Sequence, residues 1–370
     1  MKLLQKNQMI NMRKIMTIAG TRPELIRLSE IIKKLDVHFK HIFVHTGQNF
    51  DENLRDKFFK DLDLRIPDYQ FNMEEKSVGF QFIGEMFVNI EKILEKEKPD
   101  IVLILGDVNS AMAAYVCKQK HIPVFHMEAG NRCYDDNVPE EVNRRIIDTC
   151  SEYLLTYTQR SREHLLREGY HPKKIIVTGN PITEIIHKYV KYNDNLGDDI
   201  LNKYNVTEDN YVLATLHRTE NVTNQSSLES ICNAFNEIAK SFPILLSVHP
   251  KLNSMLQKFH IKFSENIYCF NPFGLIEFLV LMKSAKVLMS DSGTVPEEAC
   301  ILKVPCVLIR DSTERPELLE NNSMVLSGID TSNILHAFSI AQNLEIGDIP
   351  ADYKDINVSD KIIKILARKI

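Results

Sequence analysis

The chain has 370 residues, of which 44% are hydrophobic and 26% charged, and its formal net charge at pH 7 is −5. This length is natural for two domains, and the composition is typical of globular proteins. The negative charge argues against nucleic-acid binding. No apolar run reaches membrane-spanning length and the first residues are too polar for a secretory leader, so we expect a cytoplasmic protein.

Short runs rich in valine, isoleucine and leucine alternate with helical patterns along most of the chain. Continuous apolar character predicts strands buried on both faces of a parallel sheet, and the alternation with helices predicts an α/β fold. The predicted strands are, in chain order, Lys14–Ala19, His41–His45, Asp100–Leu105, Pro123–Met127, Tyr153–Tyr157, Lys174–Thr178, Tyr211–Leu216, Pro243–Val248, Asn266–Phe270, Lys286–Ser290 and Pro305–Ile309.

The polar stretch 191–210 interrupts this alternation and is the best candidate for a boundary between domains. We predict two doubly wound Rossmann-like domains facing each other across a cleft, an N-terminal domain over 12–185 and a C-terminal domain over 186–354. An amphipathic C-terminal segment, 355–370, is expected to return to the first domain. In such domains ligands bind at the carboxyl ends of the strands.

Two predicted strand-to-helix turns, at 20–24 and 293–297, share the order Gly-Thr, Pro, Glu. In each turn the Thr and the Glu have capping-box spacing, and the Pro stands where a first helical turn tolerates it. The free N–H groups and the dipole of a helix start attract anions, so the two turns predict a phosphate-bearing ligand. Two ordinary turns without a ligand would explain the spacing equally well.

Carboxylates follow two of the predicted strands. Asp107 comes two residues after the third strand, and Glu128 comes directly after the fourth. The polar segment 128–145 then opens a helix that carries Glu140, and the three carboxylates can converge. Such groups suit general acid and base catalysis. The alternatives are a helix N-cap for Asp107 and a solvated, salt-bridged face for the helix.

Basic side chains follow other predicted strands. His217 and Arg218 follow the seventh strand, His249 follows the eighth, and Arg310 and Arg315 follow the last. These positions suit a phosphate or a sugar, although the last two arginines could equally pair with nearby glutamates. Neither a Walker A loop nor a Gly-x-Gly-x-x-Gly motif occurs, which disfavours ATP hydrolysis and ordinary NAD binding. The cysteines and histidines lack zinc-site spacing, so no metal is predicted.

Together these motifs resemble the non-hydrolysing UDP-N-acetylglucosamine 2-epimerase family, whose fold is the two-domain glycosyltransferase-B type. The match follows the family's order from about residue 14 to about residue 320. The matching motifs are Gly20-Thr-Arg-Pro-Glu24, Thr46-Gly-Gln48, Gly106-Asp107, His126-Met-Glu-Ala-Gly130, Pro139-Glu-Glu-Val-Asn-Arg-Arg145, Thr178-Gly-Asn180, His217-Arg-Thr-Glu-Asn221, Asp291-Ser-Gly293, Glu297-Glu298 and Arg310-Asp-Ser-Thr-Glu-Arg-Pro-Glu317.

The resemblance implies reversible inversion at C2 of a UDP-linked 2-acetamido sugar, from UDP-N-acetylglucosamine to UDP-N-acetylmannosamine, for surface polysaccharide synthesis. In that family the C2 proton is removed and UDP is expelled in an anti elimination. The resulting 2-acetamidoglycal is reprotonated on its other face and UDP adds back. This chemistry needs proton-transfer groups on both faces of C2 and positive groups for the leaving diphosphate.

By position, the resemblance assigns acid–base roles to Asp107, Glu128 and Glu140. It places His217 in the catalytic site as a contact to UDP, and it makes the C-terminal domain the UDP-binding domain. The positions that match the family's UDP-sugar contacts are Arg22, Arg27, Arg144, Phe278, Ser292, Gly293, Thr294, Glu298 and Arg315. The family's second, regulatory UDP-sugar site corresponds to Gln48, Arg218 and His249. Phe278 could instead be plain core, and Arg144 is expected to orient Glu140 or to reach a phosphate. No metal or redox cofactor is implied, and the resemblance suggests a homodimer.

This sequence departs from the family's common motifs at several positions. Asn131-Arg-Cys133 replaces Leu-Arg-Thr, and this loop resembles the branch that converts UDP-2-acetamido-2,6-dideoxy-L-talose into UDP-N-acetyl-L-fucosamine. The segment 310–315 stays closer to the UDP-N-acetylglucosamine enzymes, so both substrates stay open. Arg27 replaces a lysine. Asn49 replaces a histidine of the regulatory site, so weakened activation by substrate is expected.

Three other functions are compatible with parts of the pattern. A retaining glycosyltransferase of the same fold would need an acceptor, and it has no C2 proton to move, which the three carboxylates disfavour. A hydrolysing epimerase would release UDP and N-acetylmannosamine. A non-catalytic nucleotide-sugar sensor would bind a UDP-sugar and keep its function after Asp107→Asn.

Overall fold

The computed structural model describes residues 12–47, 59–71, 79–191 and 194–368. The chain divides into two compact units, one made of the residues up to Ile185 together with those from Asp355 onward, and one made of Ile186–Lys354. Each unit contains one parallel sheet flanked by helices. Among the described helices, none is long and apolar enough to cross a membrane.

The first unit contains, within its described residues, a seven-stranded parallel sheet. Its strands are β1 (Lys14–Ala19), β2 (Lys40–His45), β3 (Tyr69–Gln70), β4 (Ile101–Leu105), β5 (Val124–Met127), β6 (Tyr153–Thr156) and β7 (Ile175–Val177). The helices that accompany them are α1 (Arg22–His38), α2 (Phe80–Glu97), α3 (Ala113–Gln119), α4 (Pro139–Cys150), α5 (Gln159–Arg167) and α6 (Pro181–Lys191). The strand order across the sheet is β3-β2-β1-β4-β5-β6-β7.

The second unit contains, within its described residues, a six-stranded parallel sheet. Its strands are β8 (Val212–Leu216), β9 (Ile244–Val248), β10 (Ile267–Phe270), β11 (Val287–Ser290), β12 (Cys306–Leu308) and β13 (Met324–Leu326). Its helices are α7 (Asp194–Lys203), α8 (Thr219–Thr223), α9 (Gln225–Ile238), α10 (Pro250–Lys258), α11 (Leu275–Lys283), α12 (Val295–Leu302), α13 (Pro316–Glu320) and α14 (Thr331–Asn343). The strand order is β10-β9-β8-β11-β12-β13.

Both sheets reverse their winding direction at one point. In the first sheet the chain runs outward from β1 to β3 and then returns to place β4 beside β1. In the second sheet β11 returns to lie beside β8 in the same way. In doubly wound sheets ligands bind outside the carboxyl ends of the strands at this switch point. The fold therefore predicts ligand-binding residues in the loops that follow β1, β4, β8 and β11.

The predicted α/β fold with two doubly wound parallel sheets is confirmed. Each strand predicted from the sequence is present, with ends that differ by at most one residue. The strands β3 and β13 were not predicted, because they contain only two and three residues and carry no long apolar run.

The division between the units lies in a helical part of the chain. The polar stretch 191–210 is largely helical, because α7 covers Asp194–Lys203 and packs on α11. The division itself falls inside α6. The last helix, α15 (Val358–Leu366), belongs to the first unit and packs on α1.

Candidate active site

The turn after β1 begins with a glycine because three loops meet there. A Cβ atom on Gly20 would collide with the hydroxyl groups of Thr46 and Ser110. Those residues follow β2 and β4, and their hydroxyls lie 2.7 Å apart in a hydrogen bond. The carboxyl ends of β1, β2 and β4 therefore converge at the switch point of the first sheet.

Glu24 forms the predicted capping box at this turn. Its Oε2 atom accepts hydrogen bonds from the Gly20 N–H at 3.0 Å and from the Thr21 N–H and hydroxyl at 2.8 Å. Burial raises the pKa of Glu24 to about 7, against the hydrogen bonds that lower it, and the charge of Asp107 adds to the rise. Its Oε1 atom is buried and has no hydrogen-bond partner among the described residues. Glu24 is therefore a carboxyl group that titrates near neutral pH, and the negative charge of Asp107 contributes to its raised pKa.

The first turns of α1 carry both arginines that were predicted to contact the UDP-sugar. Arg22 is the first residue of the helix and is half-buried. Arg27 lies further along the helix and is 2% exposed, on the face that packs inward. Of these two arginines, only Arg22 therefore has a partly accessible side chain at the helix start.

Asp107 stands beyond the end of β4, and Arg144 holds its carboxylate. The Arg144 Nε atom donates to Asp107 Oδ2 at 3.0 Å, and Nη2 donates to the same oxygen. The Asn143 amide donates to the Asp107 carbonyl at 2.9 Å. The Asp107 side chain keeps 15% of its surface exposed, whereas that of Arg144 keeps 3%. The carboxylate is therefore fixed in orientation and still accessible.

Glu128 follows β5 directly, at a backbone φ of +70°. A non-glycine residue in this region costs free energy and is common at functional sites. The side chain is 8% exposed, and its Oε1 accepts a hydrogen bond from the Asn131 amide at 3.3 Å. Its Oε2 lies 3.9 Å from the place that a Cβ atom on Gly106 would occupy. The Glu128 carboxylate is therefore next to the turn that carries Asp107.

The helix α4 turns charged residues inward instead of presenting a solvated face. Pro139 opens the helix, and Glu141, Arg144 and Asp148 are all buried along one side. Arg144 Nη1 donates to Glu141 Oε2 at 2.8 Å, a contact that was not predicted. Glu140 lies one turn before Arg144 on the same helix and is half-buried. Buried charges are rare unless paired, so this face indicates a functional or organising role.

One loop residue links the two carboxylates of the first unit. The Asn131 carbonyl accepts a hydrogen bond from Arg144 Nη1 at 3.1 Å, while its side-chain amide donates to Glu128. Asp107, Arg144, Asn131 and Glu128 thus form a connected chain of polar contacts. In the sequence Asn131 is visible only as a departure from the family, because its contacts come from residues on other elements.

In the second unit, His217 follows β8 and Asp291 follows β11, on either side of the switch point. Asp291 is fully buried and accepts hydrogen bonds from the backbone N–H groups of His217 and Arg218 at 3.0 and 2.9 Å. The His217 Nδ1 atom lies 2.9 Å from Asp291 Oδ1. Burial would raise the pKa of Asp291, but the hydrogen bonds from His217 and Arg218 lower it. Asp291, which was not predicted as a site residue, therefore holds the His217 loop as a carboxylate.

The turn 292–294 precedes α12. The Ser292 hydroxyl lies 3.2 Å from the Thr294 hydroxyl and accepts from the Thr294 N–H at 3.3 Å. The Glu314 carboxylate lies close to the backbone of Gly293, at 2.3 Å from the place that a Cβ atom would occupy. The predicted second capping box is wrong: within the described chain Thr294 makes no side-chain cap, and Glu297 pairs with Arg315. The guanidinium draws the Glu297 carboxylate away from the helix start.

The arginines after β12 are paired with carboxylates. Arg310 Nη1 donates to Glu314 Oε2 at 3.0 Å, and Arg315 Nε donates to Glu297 Oε1. Arg315 is 2% exposed, so its role as a phosphate contact stays a prediction. Glu298, the predicted ribose contact, is 8% exposed on the first turn of α12.

The remaining predicted positions lie at helix starts of the second unit or outside the described residues. Phe278, on α11, is half-buried and stacks on Phe273 with ring centroids 6.3 Å apart. His249 is exposed and caps α10, where its Nδ1 accepts from the Lys251 N–H at 3.4 Å. The Arg218 side chain is 13% exposed. Gln48 and Asn49 lie outside the described residues.

Comparison with known proteins places this chain in a family. A family model described as UDP-N-acetylglucosamine 2-epimerase matches residues 33–367. A UDP-N-acetylglucosamine 2-epimerase of Methanocaldococcus jannaschii is 40% identical over 340 residues, which cover 89% of this chain and 92% of that enzyme. A UDP-2,3-diacetamido-2,3-dideoxy-D-glucuronate 2-epimerase of Pseudomonas aeruginosa is 33% identical over 362 residues, covering 96% of this chain and 99% of that enzyme.

The same relation holds for the three-dimensional fold. The crystal structure of Methanocaldococcus jannaschii UDP-GlcNAc 2-epimerase in complex with UDP-GlcNAc and UDP superposes with a TM-score of 0.89 at 37% identity, covering 95% of this chain and 99% of that chain. Matches in sequence and in fold thus extend over both units. The chain belongs to the UDP-N-acetylglucosamine 2-epimerase family, whose members are isomerases.

Proposed function

We propose that this protein catalyses the reversible C2 epimerisation of UDP-N-acetylglucosamine to UDP-N-acetylmannosamine, and so supplies a precursor for surface polysaccharide. The observation that carries the proposal is the connected pair of carboxylates, Asp107 and Glu128, at neighbouring strand ends beside a switch point. Family membership supports the same reaction, since a relative of 40% identity bears the name UDP-N-acetylglucosamine 2-epimerase.

The reaction requires a proton to leave one face of C2 and another to arrive on the opposite face. In the elimination, the C2–H bond and the C1–O bond to UDP break and a C1–C2 double bond forms. In the return step, the glycal gains a proton at C2 and UDP adds back at C1. We assign the proton transfers to the set Asp107, Glu128 and Glu140. His217 is proposed as a catalytic-site residue that contacts UDP. A fixed orientation of the carboxylate favours such transfers. For Asp107 this orientation comes from the two hydrogen bonds that Arg144 Nε and Nη2 donate.

The leaving diphosphate needs donors that are in place before the bond breaks. For this role we propose Arg22, Arg27 and Arg144 from the first unit, and Arg315 with the Ser292-Gly293-Thr294 turn from the second. Glu298 is proposed to bind the ribose hydroxyls. The N-terminus of α12 supports the proposal, because the positive end of its helix dipole follows that turn. The half-buried Phe278 ring offers an aromatic face for a uracil base. The reaction needs no metal or redox cofactor.

A second substrate is favoured by one observation in the loop after β5. Asn131, where the family commonly has leucine, contacts Glu128 directly. A changed residue beside a proposed catalytic carboxylate can change which sugar is accepted, and a relative of 33% identity bears the name of an epimerase for a different UDP-sugar. The alternative substrate is UDP-2-acetamido-2,6-dideoxy-L-talose, with UDP-N-acetyl-L-fucosamine as the product.

Proton NMR of the purified protein with each UDP-sugar in turn tests the proposal. A new anomeric signal for UDP-N-acetylmannosamine, starting from UDP-N-acetylglucosamine, is the expected result. Accumulation of UDP with free N-acetylmannosamine would indicate a hydrolysing enzyme instead. No reaction with UDP-N-acetylglucosamine together with turnover of the 6-deoxy UDP-sugar would show that the second sugar is the substrate. The Asp107→Asn variant is the control and should give no product.

Three further expectations belong to the same proposal. We expect a homodimer in the cytoplasm, and sedimentation velocity of the full chain measures the assembly. We expect Gln48, Arg218 and His249 to form a weak regulatory UDP-sugar site. A hyperbolic dependence of rate on UDP-N-acetylglucosamine would agree with weak activation, and a strongly sigmoidal dependence would contradict it.

A further inference from the structure

We propose that Asp148, acting through His126 and Arg132, is a positioning residue that holds the loops of Asp107 and Glu128, with His126 kept as a buried imidazolium. This inference rests on the proposed epimerase function for its kinetic part. None of these three residues is part of the acid–base set assigned above.

The hydrogen bonds of His126 define its protonation. The ring is fully buried on β5, with Nε2 2.9 Å from the Gly106 carbonyl and Nδ1 2.8 Å from Asp148 Oδ1. A carbonyl oxygen only accepts hydrogen bonds, so Nε2 carries a proton. Whether Nδ1 also carries one depends on the state of Asp148.

The surroundings of Asp148 keep it a carboxylate. Its Oδ2 atom accepts from Arg132 Nη2 at 2.7 Å and from the Gly130 N–H at 3.3 Å. The positive charge of Arg132 and the two donors on one oxygen favour the charged form of Asp148. A carboxylate cannot donate a proton to Nδ1, so both ring nitrogens of His126 donate, and the ring is an imidazolium.

The charges around the imidazolium balance within one group. Asp148 contributes one negative charge from α4, and Glu168 contributes a second from the end of α5. Arg132 bridges them, because its Nη2 and Nε atoms donate to the two Glu168 oxygens at 2.7 and 2.8 Å. Two cations therefore face two anions, which makes the buried arrangement sustainable.

The same network fixes the backbone on both sides of the proposed site. His126 holds the carbonyl of Gly106, the residue directly before Asp107. Asp148 holds the N–H of Gly130, two residues after Glu128, and a Cβ atom there would collide with the Ser161 carbonyl. One carboxylate thus ties the loops after β4 and β5 together. If Asp148 lost its charge, both proposed catalytic carboxylates would lose their common anchor.

The first test is spectroscopic and uses the wild-type protein without substrate. Selective ¹⁵N labelling of histidine reports the protonation of each ring nitrogen. We expect one buried histidine with both nitrogens protonated at pH 8, where exposed histidines are neutral, and its assignment to His126 by loss of the signal in His126→Gln. A singly protonated His126 ring at pH 8 would overturn the inference. This result does not depend on epimerase activity, so it separates the failure of this inference from failure of the proposed function.

The second test is kinetic and compares Asp148→Asn with Glu163→Gln, whose side chain is 63% exposed on α5. We expect Asp148→Asn to lower kcat about 100-fold, the scale of a misplacement of about 1 Å, with KM within about threefold of wild type. Glu163→Gln should leave both constants unchanged. Values of kcat within about threefold of wild type for Asp148→Asn would overturn the positioning role. If that variant does not fold, His126→Gln and Arg132→Lys provide the same comparison.

Discussion

Arg144 contacts three groups at the proposed site of the first unit. Its guanidinium contacts the Asp107 carboxylate, the buried Glu141 carboxylate and the Asn131 carbonyl. Arg144→Gln removes the charge and most of the donors at once. Arg145→Gln is a matched control, because Arg145 is the next residue, contacts the same Glu141 at 3.1 Å and is 42% exposed.

The two substitutions should differ in stability by a measurable amount. Removal of one partner from a buried ion pair costs about 3–5 kcal/mol. Glu141 keeps hydrogen bonds from the Cys133 N–H and from Arg145, so we expect the lower end, about 3 kcal/mol, for Arg144→Gln. A pair with a partly exposed arginine contributes at most about 1 kcal/mol, so Arg145→Gln should be close to wild type.

Urea unfolding followed by circular dichroism measures the free energies, and the NMR assay measures turnover. We expect Arg144→Gln to lose about 100-fold in kcat, because Asp107 is no longer held. Compared with Arg144→Gln, Arg144→Lys should recover part of the stability and little of the activity. An ammonium group keeps the charge but cannot donate to Asp107 and Glu141 from separate nitrogens as the guanidinium does. Equal stability and equal kcat for the Arg144→Gln and Arg145→Gln variants would refute the reasoning.

Three further predictions address single contacts. Asn131→Leu removes the amide that donates to Glu128 and should lower kcat about tenfold with little change in KM, the scale of one hydrogen bond to a charged group; unchanged steady-state kinetics would contradict this. Asp291→Asn loosens the His217 loop and should weaken UDP binding at least about tenfold in isothermal titration calorimetry, whereas an unchanged Kd would exclude the role. The pKa of Glu24 is about 7 in the folded protein against 4.5 as its ordinary value, so the folded state binds more protons between these values and stability falls as pH rises through that window. The loss at pH 8 relative to pH 4.5 is at most about 3 kcal/mol for this group. In Glu24→Gln that component should be absent, and a pH dependence of unfolding identical to wild type would show that Glu24 does not titrate there.

Much of the fold follows from local sequence. The strands carry continuous apolar runs that end at polar or proline-containing loops, so their positions could be predicted almost to the residue. The short strands β3 and β13 were not predicted, because their formation depends on pairing with neighbouring strands and not on their own residues. The stretch 191–210 is polar in sequence but contains α7, since a helix that packs on one face needs few apolar residues.

The site residues divide in the same way. Asp107, Glu128 and His217 could be predicted because they lie within two residues of strand ends, and the fold brings strand ends together. Their partners could not, since Arg144 reaches Asp107 across 37 residues and His217 meets Asp291 across 74. The second capping box shows the same effect, because Glu297 has the right spacing but pairs with Arg315 instead. Long-range charge pairing overrides local motifs where both groups are buried.

The most direct measurement of the central claim is the deuterium content at C2 after turnover of UDP-N-acetylglucosamine in D2O by the wild-type protein. Removal and return of the C2 proton predicts deuterium at C2 of both UDP-N-acetylglucosamine and UDP-N-acetylmannosamine, with no net release of UDP. Formation of the second epimer with its C2 hydrogen fully retained would contradict the proton-transfer roles of the carboxylates. Absence of any new sugar from this substrate and from the 6-deoxy substrate would contradict the epimerase function itself.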